Sequence, residues 1–185
     1  MKLGSYFAKN MKTLVYLLDK YPPSETFIQR EIKAVYSKGV SVVILQLNSS
    51  NFTTDLPYTL LRPKLWIAIR FGFKNIFRVV FILVEILFLL MRDIKQYLVF
   101  IRCLWRVLYY AYWLQRHCVG FHVHFGNLPA TCAYFIYRLV NVPYSLSIHA
   151  RDALVENAML YYKISCARRV IFCSKYIMAV SYTHL

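Results

Sequence analysis

Residues 13–47, TLVYLLDKYPPSETFIQREIKAVYSKGVSVVILQL, decide the fold because they have the pattern of one strand–helix–strand unit. Two short apolar runs, TLVYLL and VSVVILQL, are typical of strands that are buried on both faces. Between them, Ile28, Ile32 and Val35 form a helical stripe, and Gly39 ends the helix. Two strands joined by a helix predict a parallel sheet with right-handed crossovers.

Residues 121–174 repeat this alternation. FHVHF, PYSLSIH and RRVIFCS predict three more strands, and GNLPATCAYFIYRLVN and ALVENAMLYYKISCA predict the helices between them. The sequence therefore predicts an α/β domain over residues 12–178, with a Rossmann-like parallel sheet flanked by helices. Residues 1–11 are expected to be an N-terminal extension, because Met11 is a second plausible start directly before the first strand.

The composition favours some partners and argues against others. A formal net charge of +15 favours polyanions, anionic lipid or diphosphate-bearing ligands. Nucleic acid is not expected, because no recognised module fits and the basic residues alternate with long aliphatic ones. Neither G-x-G-x-x-G nor G-K-[ST] occurs, which argues against dinucleotide binding and P-loop hydrolysis. Five cysteines without C-x-x-C spacing suit a reducing cytosol.

Residues 62–118 almost lack helix breakers and predict two or three helices. Between Arg62 and Arg116 there are ten Lys/Arg and two acids, Glu85 and Asp93. The most apolar part, VVFILVEILFLLM, is 13 residues long, so as a helix it spans about 20 Å of the ~30 Å hydrocarbon core of a bilayer. Three interpretations remain open: a transmembrane helix, an interfacial amphipathic hairpin with basic flanks, and an ordinary helical insert packed on the sheet. The hairpin is favoured, with a membrane surface formed by Arg70, Lys74, Arg78, Arg92, Trp105 and Arg106.

Polar residues follow several of the predicted strands. Because ligands bind at the carboxyl ends of strands in open parallel sheets, these residues are expected to line one cleft. The cleft candidates are Ser24, Glu25, Thr26, His124, Gly126, Asn127, Arg151, Asp152 and Ser174.

Three histidines need separate consideration. His122 and His124 lie two apart in a strand and point to one face. They could hold a metal with Cys118 or His149, but one core histidine and one cleft histidine are expected instead, and no metal site is predicted. At the next strand end, His149 is a candidate general acid/base, a donor to a phosphate oxygen, or a structural cap.

Three segments resemble a known family in the correct order along the chain. YPPSETFIQREIKAVYSKGVSVVILQL resembles the opening of family 4 glycosyltransferases of the colanic-acid type, which build surface polysaccharides. HVHFGNLPATCAYFIYRLVNVPYSLSIHARD is similar to their H-F-G…A…P-x-S-x-x-x-H-A-x-D segment, and VENAMLYYKISCARRVIFCSKY to the run that follows. The resemblance implies the N-terminal, acceptor-binding half of a two-domain GT-B enzyme. Such enzymes transfer a sugar from a nucleotide-diphosphate sugar, usually with retention and without a metal or other cofactor.

The resemblance also implies roles for individual residues. His149 matches the histidine that reaches the donor sugar, and is the expected catalytic residue, while Asp152 ends the same motif. Ser24 and Glu25 match the loop that faces the cleft, and His124 and Gly126 match the acceptor-side strand end. The implied acceptor is a lipid-linked glycan or polysaccharide at the cytoplasmic face of the cell membrane, where residues 62–118 would be the membrane-facing insert.

The sequence departs from the family at its end. The family's second domain, which carries the nucleotide pocket, has no counterpart here, and residues 179–185 end in SYTHL, which resembles translated adapter sequence. We therefore expect a truncated tail and no transferase activity for this chain alone. The alternative is a non-catalytic membrane-surface or polyanion-binding α/β module.

Overall fold

The computed structural model describes residues 13–21, 26–48, 58–91, 93–117, 120–154 and 158–183. Within these ranges, strands and helices follow one another in this order: β1 (Thr13–Leu18), α1 (Thr26–Ser37), β2 (Ser41–Gln46), β3 (Thr59–Leu61), α2 (Leu65–Lys74), α3 (Ile76–Leu89), α4 (Ile94–His117), β4 (Phe121–His124), α5 (Leu128–Val140), β5 (Tyr144–Ile148), α6 (Ala150–Leu154), α7 (Leu160–Ser165), β6 (Arg169–Phe172) and α8 (Lys175–Thr183).

The strands form one sheet in the order β3-β2-β1-β4-β5-β6, and every neighbouring pair is parallel. This confirms the predicted α/β fold with a Rossmann-like parallel sheet. Strand β1 lies near the middle of the sheet, with β2 on one edge and β4 on the other. Strands β2 and β3 thus extend the sheet from one edge of β1. Strands β4, β5 and β6, which follow α4 in the chain, extend it from the other edge.

Strand β1 shows why both faces of the sheet are covered. Its alternate residues belong to two different hydrophobic clusters. Val15 and Leu17 pack on the face that carries α2–α5, whereas Tyr16 and Leu18 pack against α1. All four side chains are buried, as the continuous apolar run predicts for a central parallel strand.

Helix α4 belongs to the core of the domain. It carries nine buried residues and packs against both α2 and α5. The hydroxyl of Tyr110 donates to the carbonyl of Gln46 over 2.6 Å, and Arg106 donates to the carbonyl of Leu47, so α4 is tied to the end of β2. This part of residues 62–118 therefore corresponds to the interpretation as a helical segment packed on the sheet.

Helix α3 is apolar on two sides but buried on only one. Val79, Ile82 and Ile86 face the core, while Phe77 and Phe81 are 91% and 65% exposed. The inner side is fixed to α5 by Glu85, whose Oε1 accepts from the Tyr134 hydroxyl at 2.8 Å and from Arg138. Among the described residues, no helix is long and apolar enough to cross a membrane.

The structure differs from the sequence-based prediction in two elements. Strand β3 was not predicted, because three residues are too short to produce a pattern. ALVENAMLYYKISCA was predicted as one helix, but its described parts lie in two helices, α6 and α7. Met159, at the start of α7, has φ 58, a left-handed conformation that interrupts an α-helix. Gly39 has φ 75 and follows the end of α1, as predicted.

The sequence predicts an extension at the N-terminal end and a truncated tail at the C-terminal end, and the structure describes part of the tail alone. The predicted extension, residues 1–11, lies outside the described residues. Of the predicted tail, residues 179–183 form the end of α8, where Ser181 is fully buried.

The orientation of α3 can be tested with neighbouring substitutions in the 185-residue chain. Ile82→Ala should lower the free energy of unfolding by about 2–4 kcal/mol, because Ile82 is 1% exposed and its loss leaves a cavity. Phe81→Ala, the matched control, should change it by less than about 0.5 kcal/mol. Urea unfolding followed by circular dichroism measures both. Equal effects of the two variants would contradict this orientation.

Candidate functional site

A cavity of about 390 Å³ lies at the carboxyl edge of the sheet, where β1 and β4 end side by side. This is the point at which the strand order reverses, the usual position of ligand sites in open α/β sheets. The cavity is lined by Leu18, Asp19, Lys20, Ile28, Asn48, Val99, His124, Phe125, Asn127, Leu128, Pro129, Arg151 and Asp152.

The loop between β4 and α5 forms one wall and is held from below by a buried lysine. Lys163, fully buried on α7, donates through Nζ to the carbonyls of Gly126 and Ala158, each at 2.8 Å. A Cβ on Gly126 would lie 3.0 Å from Cβ of Asp152, so the close approach of the two loops requires glycine. These contacts fix the backbone that carries Asn127 into the cavity wall.

The loop after β5 forms a second wall, and Asp152 shapes it. Oδ2 of Asp152 accepts from the backbone N–H of His149 at 2.8 Å, and the N–H of Asp152 donates to the carbonyl of His149 at 3.1 Å. The first of these bonds is one half of a capping box, in which the side chain of the third helical residue accepts from the backbone N–H of the residue before the helix. The His149 ring packs against Phe27 and Phe125, with ring centroids 4.9 and 4.8 Å away.

His122 and His124 occupy the expected core and cleft positions, on one face of β4. The ring of His122 is hydrogen-bonded through Nδ1 to Ser145 Oγ at 2.8 Å and through Nε2 to Ser147 Oγ at 3.1 Å. His124 is 2% exposed and lines the cavity. Its Nε2 lies 3.4 Å from Oε2 of Glu31 on α1.

Glu31 was missed at the level of sequence, although a signal was present. It lies on α1 three residues after Ile28, next to Ile32, and therefore borders the stripe that packs on the sheet. Its Oε1 accepts from the hydroxyl of the buried Tyr16 at 2.9 Å. The contact with His124, together with the hydrogen bond from Tyr16, lowers the pKa of Glu31 to about 2.

Among the described residues, one group has donor atoms close enough for a metal ion. Glu31, His122 and His124 each offer one donor atom, and these atoms lie within 4.8 Å of one another. Glu31 is not one of the two third ligands that the sequence suggested. Of those two, Cys118 lies outside the described residues, and the centroid of the His149 ring is 6.1 Å from that of His124.

The cavity wall carries charges of both signs. Lys20 and Arg151 contribute the cations, and Asp19 and Asp152 the carboxylates. Asp19 Oδ1 accepts from Nδ2 of Asn48 at 2.7 Å, which links the ends of β1 and β2. Lys20 was not named individually among the predicted cleft residues, although it lies in the polar stretch Asp19–Glu25 that follows the first predicted strand. The arrangement offers cations to an anionic group and amide and carboxylate groups to hydroxyls.

The predicted cleft residues are thus partly brought together. His124, Asn127, Arg151 and Asp152 line the cavity, with Gly126 and His149 beside it. Thr26 is exposed at the start of α1, and Ser174 is exposed and caps α8 by accepting from the N–H of Ile177; neither lines the cavity. Ser24 and Glu25 lie outside the described residues.

The predicted membrane-surface residues are also divided. Arg70, Lys74 and Arg78 are exposed on α2 and α3, and Arg78 additionally donates to the carbonyl of Leu139 at 3.1 Å. Trp105 and Arg106 are half-buried on α4, away from these three, with Arg106 directed to the end of β2. Arg92 lies outside the described residues.

Comparisons with known protein families, with curated proteins and with solved structures found no match.

The buried His122 predicts a pH dependence of stability. Burial, together with the neighbouring His124, lowers the pKa of His122 from 6.5 to about 4. Between these values the unfolded chain binds a proton that the folded chain does not, so stability should fall as the pH drops from about 6.5 to about 4. The slope should reach about 1 kcal/mol per pH unit.

Urea unfolding at pH 7, 6 and 5 in the presence of a chelator measures this dependence. In His122→Asn the slope between pH 6 and 5 should shrink, whereas His117→Ala, a surface control, should keep it. Glu31 changes the stability at lower pH, between its ordinary pKa of 4.5 and its folded-state pKa of about 2, because its pKa is depressed. An unchanged slope in His122→Asn would rule out this origin.

Proposed function

We propose that this domain is the acceptor-binding half of a glycosyltransferase with GT-B architecture, acting on a lipid-linked or polysaccharide acceptor. The supporting observation is that the two ends of one segment of the family resemblance, residues 122–152, meet at one cavity. His124 and Asn127 come from its start and Arg151 and Asp152 from its end, and all four line the cavity at the strand-order reversal. The position and polarity of this cavity suit a sugar-bearing ligand.

The chemistry of the wall supports an acceptor that carries both hydroxyls and an anionic group. Lys20 and Arg151 would bind a diphosphate, while Asn127 and Asp152 would orient sugar hydroxyls. His149 stands beside the cavity among aromatic rings. In the proposed enzyme it reaches a donor sugar held by a second domain, with a nucleotide-diphosphate sugar as donor, a retaining mechanism and no metal in the transfer step.

A second part of the proposal concerns the membrane. The apolar outer face consists of large exposed side chains on α2 and α3 and just after them: Trp66, Ile69, Phe73, Phe77, Val80, Phe81, Val84, Phe88 and Met91. Phe77, Phe81, Val84 and Phe88 follow one another at helical spacing along a single side of α3. Exposed aromatics of this number leave roughly several hundred Å² of apolar surface in water, an amount that marks an interaction site.

Charge indicates what covers this face. Arg70 and Lys74 are exposed on α2 beside the aromatics. The acid of α3, Glu85, turns inward to Tyr134 and Arg138. Among the described residues of α2 and α3, Glu85 is the only carboxylate, and it faces the core. The outer surface therefore presents aromatic and cationic side chains, which suit the interface of an anionic bilayer. We therefore propose peripheral attachment to the inner face of the cell membrane.

The outer face also favours the second candidate, a membrane-surface module without chemistry. The two candidates share this face and differ in the cavity, so an acceptor-binding experiment separates them.

The acceptor proposal predicts binding of a polyprenyl-diphosphate-linked N-acetylglucosamine in detergent micelles, measured by isothermal titration calorimetry. The 185-residue chain should bind it saturably. Arg151→Ala should weaken binding about tenfold, because a charge-assisted hydrogen bond contributes about 1.5 kcal/mol. Arg116 is exposed at the end of α4, whereas the start of that helix borders the cavity through Val99. Arg116→Ala should therefore bind the ligand as the wild type does. Absence of saturable binding, or equal losses in both variants, would favour the module without chemistry.

The membrane proposal predicts co-sedimentation with vesicles of 30% anionic lipid at low salt. The double variant Phe77→Ser/Phe81→Ser should lose at least about tenfold in partitioning, because each buried phenylalanine contributes about 1.5–3 kcal/mol. Tyr176→Ser removes an aromatic that is 66% exposed on α8 and serves as the matched control. The emission of Trp66 should also shift to the blue on binding. Wild-type protein that stays in the supernatant, or equal losses in the variant and the control, would contradict attachment through this face.

A further inference from the structure

Glu31, His122 and His124 form a compact group of nitrogen and oxygen donors at the edge of the cavity, which His124 also lines. The two histidines share one face of β4, and Glu31 reaches the same face from α1. One donor atom from each of the three lies within 4.8 Å of the others. The group therefore connects a helix and a strand that are far apart in sequence.

The hydrogen bonding of His124 is incomplete. Its ring is 2% exposed, and neither nitrogen makes a hydrogen bond of good geometry with the described residues. Nε2 approaches Oε2 of Glu31 only to 3.4 Å. A buried polar ring without hydrogen bonds costs free energy, so native structures usually give it a partner.

The surroundings already orient the donors. The Tyr16 hydroxyl donates to Oε1 of Glu31 at 2.9 Å, which leaves Oε2 directed at His124. Nδ1 of His122 lies 2.8 Å from Ser145 Oγ, and its Nε2 is 3.1 Å from Ser147 Oγ, a hydroxyl that can rotate away. Metal-binding histidines typically donate their second ring N–H in this way, and ligating carboxylates are held by a further hydrogen bond.

We propose that Glu31, His122 and His124 bind a divalent transition-metal ion of the zinc class. Two imidazoles and one carboxylate are a common zinc ligand set, whereas magnesium and calcium prefer oxygen ligands throughout. Tetrahedral donors at about 2.0–2.2 Å from one ion lie about 3.4 Å apart, so donors that are now up to 4.8 Å apart must approach by about 1.4 Å. The partly exposed Glu31 side chain can supply this movement.

The ion would tie α1 to β4 beside the cavity. This site does not depend on the proposed sugar transfer.

Calorimetric titration of the untagged, metal-free 185-residue chain with zinc chloride tests the proposal. The wild type should bind one Zn²⁺ per chain, gain thermal stability on binding, and show no saturable binding of Mg²⁺. Glu31→Gln keeps an oxygen for the Tyr16 hydroxyl but removes the charge, and should weaken Zn²⁺ binding by at least about tenfold. His117→Ala, at the exposed end of α4, is the matched control and should bind as the wild type does.

The unfolding midpoint without metal shows whether Glu31→Gln is folded. If it is not, Tyr16→Phe replaces it, because this change removes only the hydroxyl that orients Glu31 and should weaken Zn²⁺ binding by about tenfold. The proposal is overturned if the wild type does not bind Zn²⁺ saturably. It is also overturned if the folded Glu31 or Tyr16 variant keeps the wild-type affinity within about twofold, or if His117→Ala abolishes binding.

Discussion

The burial of β1 on both faces, with a parallel partner on each edge, is the constraint on which the rest of the structure depends. Because β2 and β4 lie on opposite edges of β1, the chain must reverse direction across the sheet between them. The loops that leave β1 and β4 then diverge and leave a cavity between them. The position of the candidate site thus follows from hydrophobic burial and strand order, before any polar side chain is considered.

The same reversal explains the long helical connection from β3 to β4. Helix α4 is largely buried in the core, while α2 and α3 bury one side in the same core and keep an apolar face in water. The start of α4 links the two regions, because Val99 lines the cavity and Ile94 and Leu98 are exposed near the end of α3. A membrane that covers the apolar outer face would therefore lie close to the cavity mouth.

Local patterns were sufficient to predict much of the fold and part of the site. Apolar runs gave five of the six strands, and the rule that ligands bind at strand ends placed His124, Asn127, Arg151 and Asp152 in one cleft. What was missed depends on contacts between distant segments. Glu31 contacts His124 of β4 only because α1 packs on the sheet. Lys163 donates a hydrogen bond to the carbonyl of Gly126, which lies 37 residues earlier in the chain. Met159, directly before α7, is left-handed, which no residue preference indicates.

The central proposal is that the cavity binds a lipid-linked sugar and that the apolar outer face next to it, on the same domain, binds the membrane. Hydrogen–deuterium exchange of the chain on anionic vesicles, with and without a polyprenyl-diphosphate-linked sugar, tests it most directly. Vesicles alone should protect residues 65–91, and addition of the lipid-linked sugar should further protect residues 19–20 and 124–129. Protection of β6 and α8 instead, or no added protection at the ends of β1 and β4, would contradict the account.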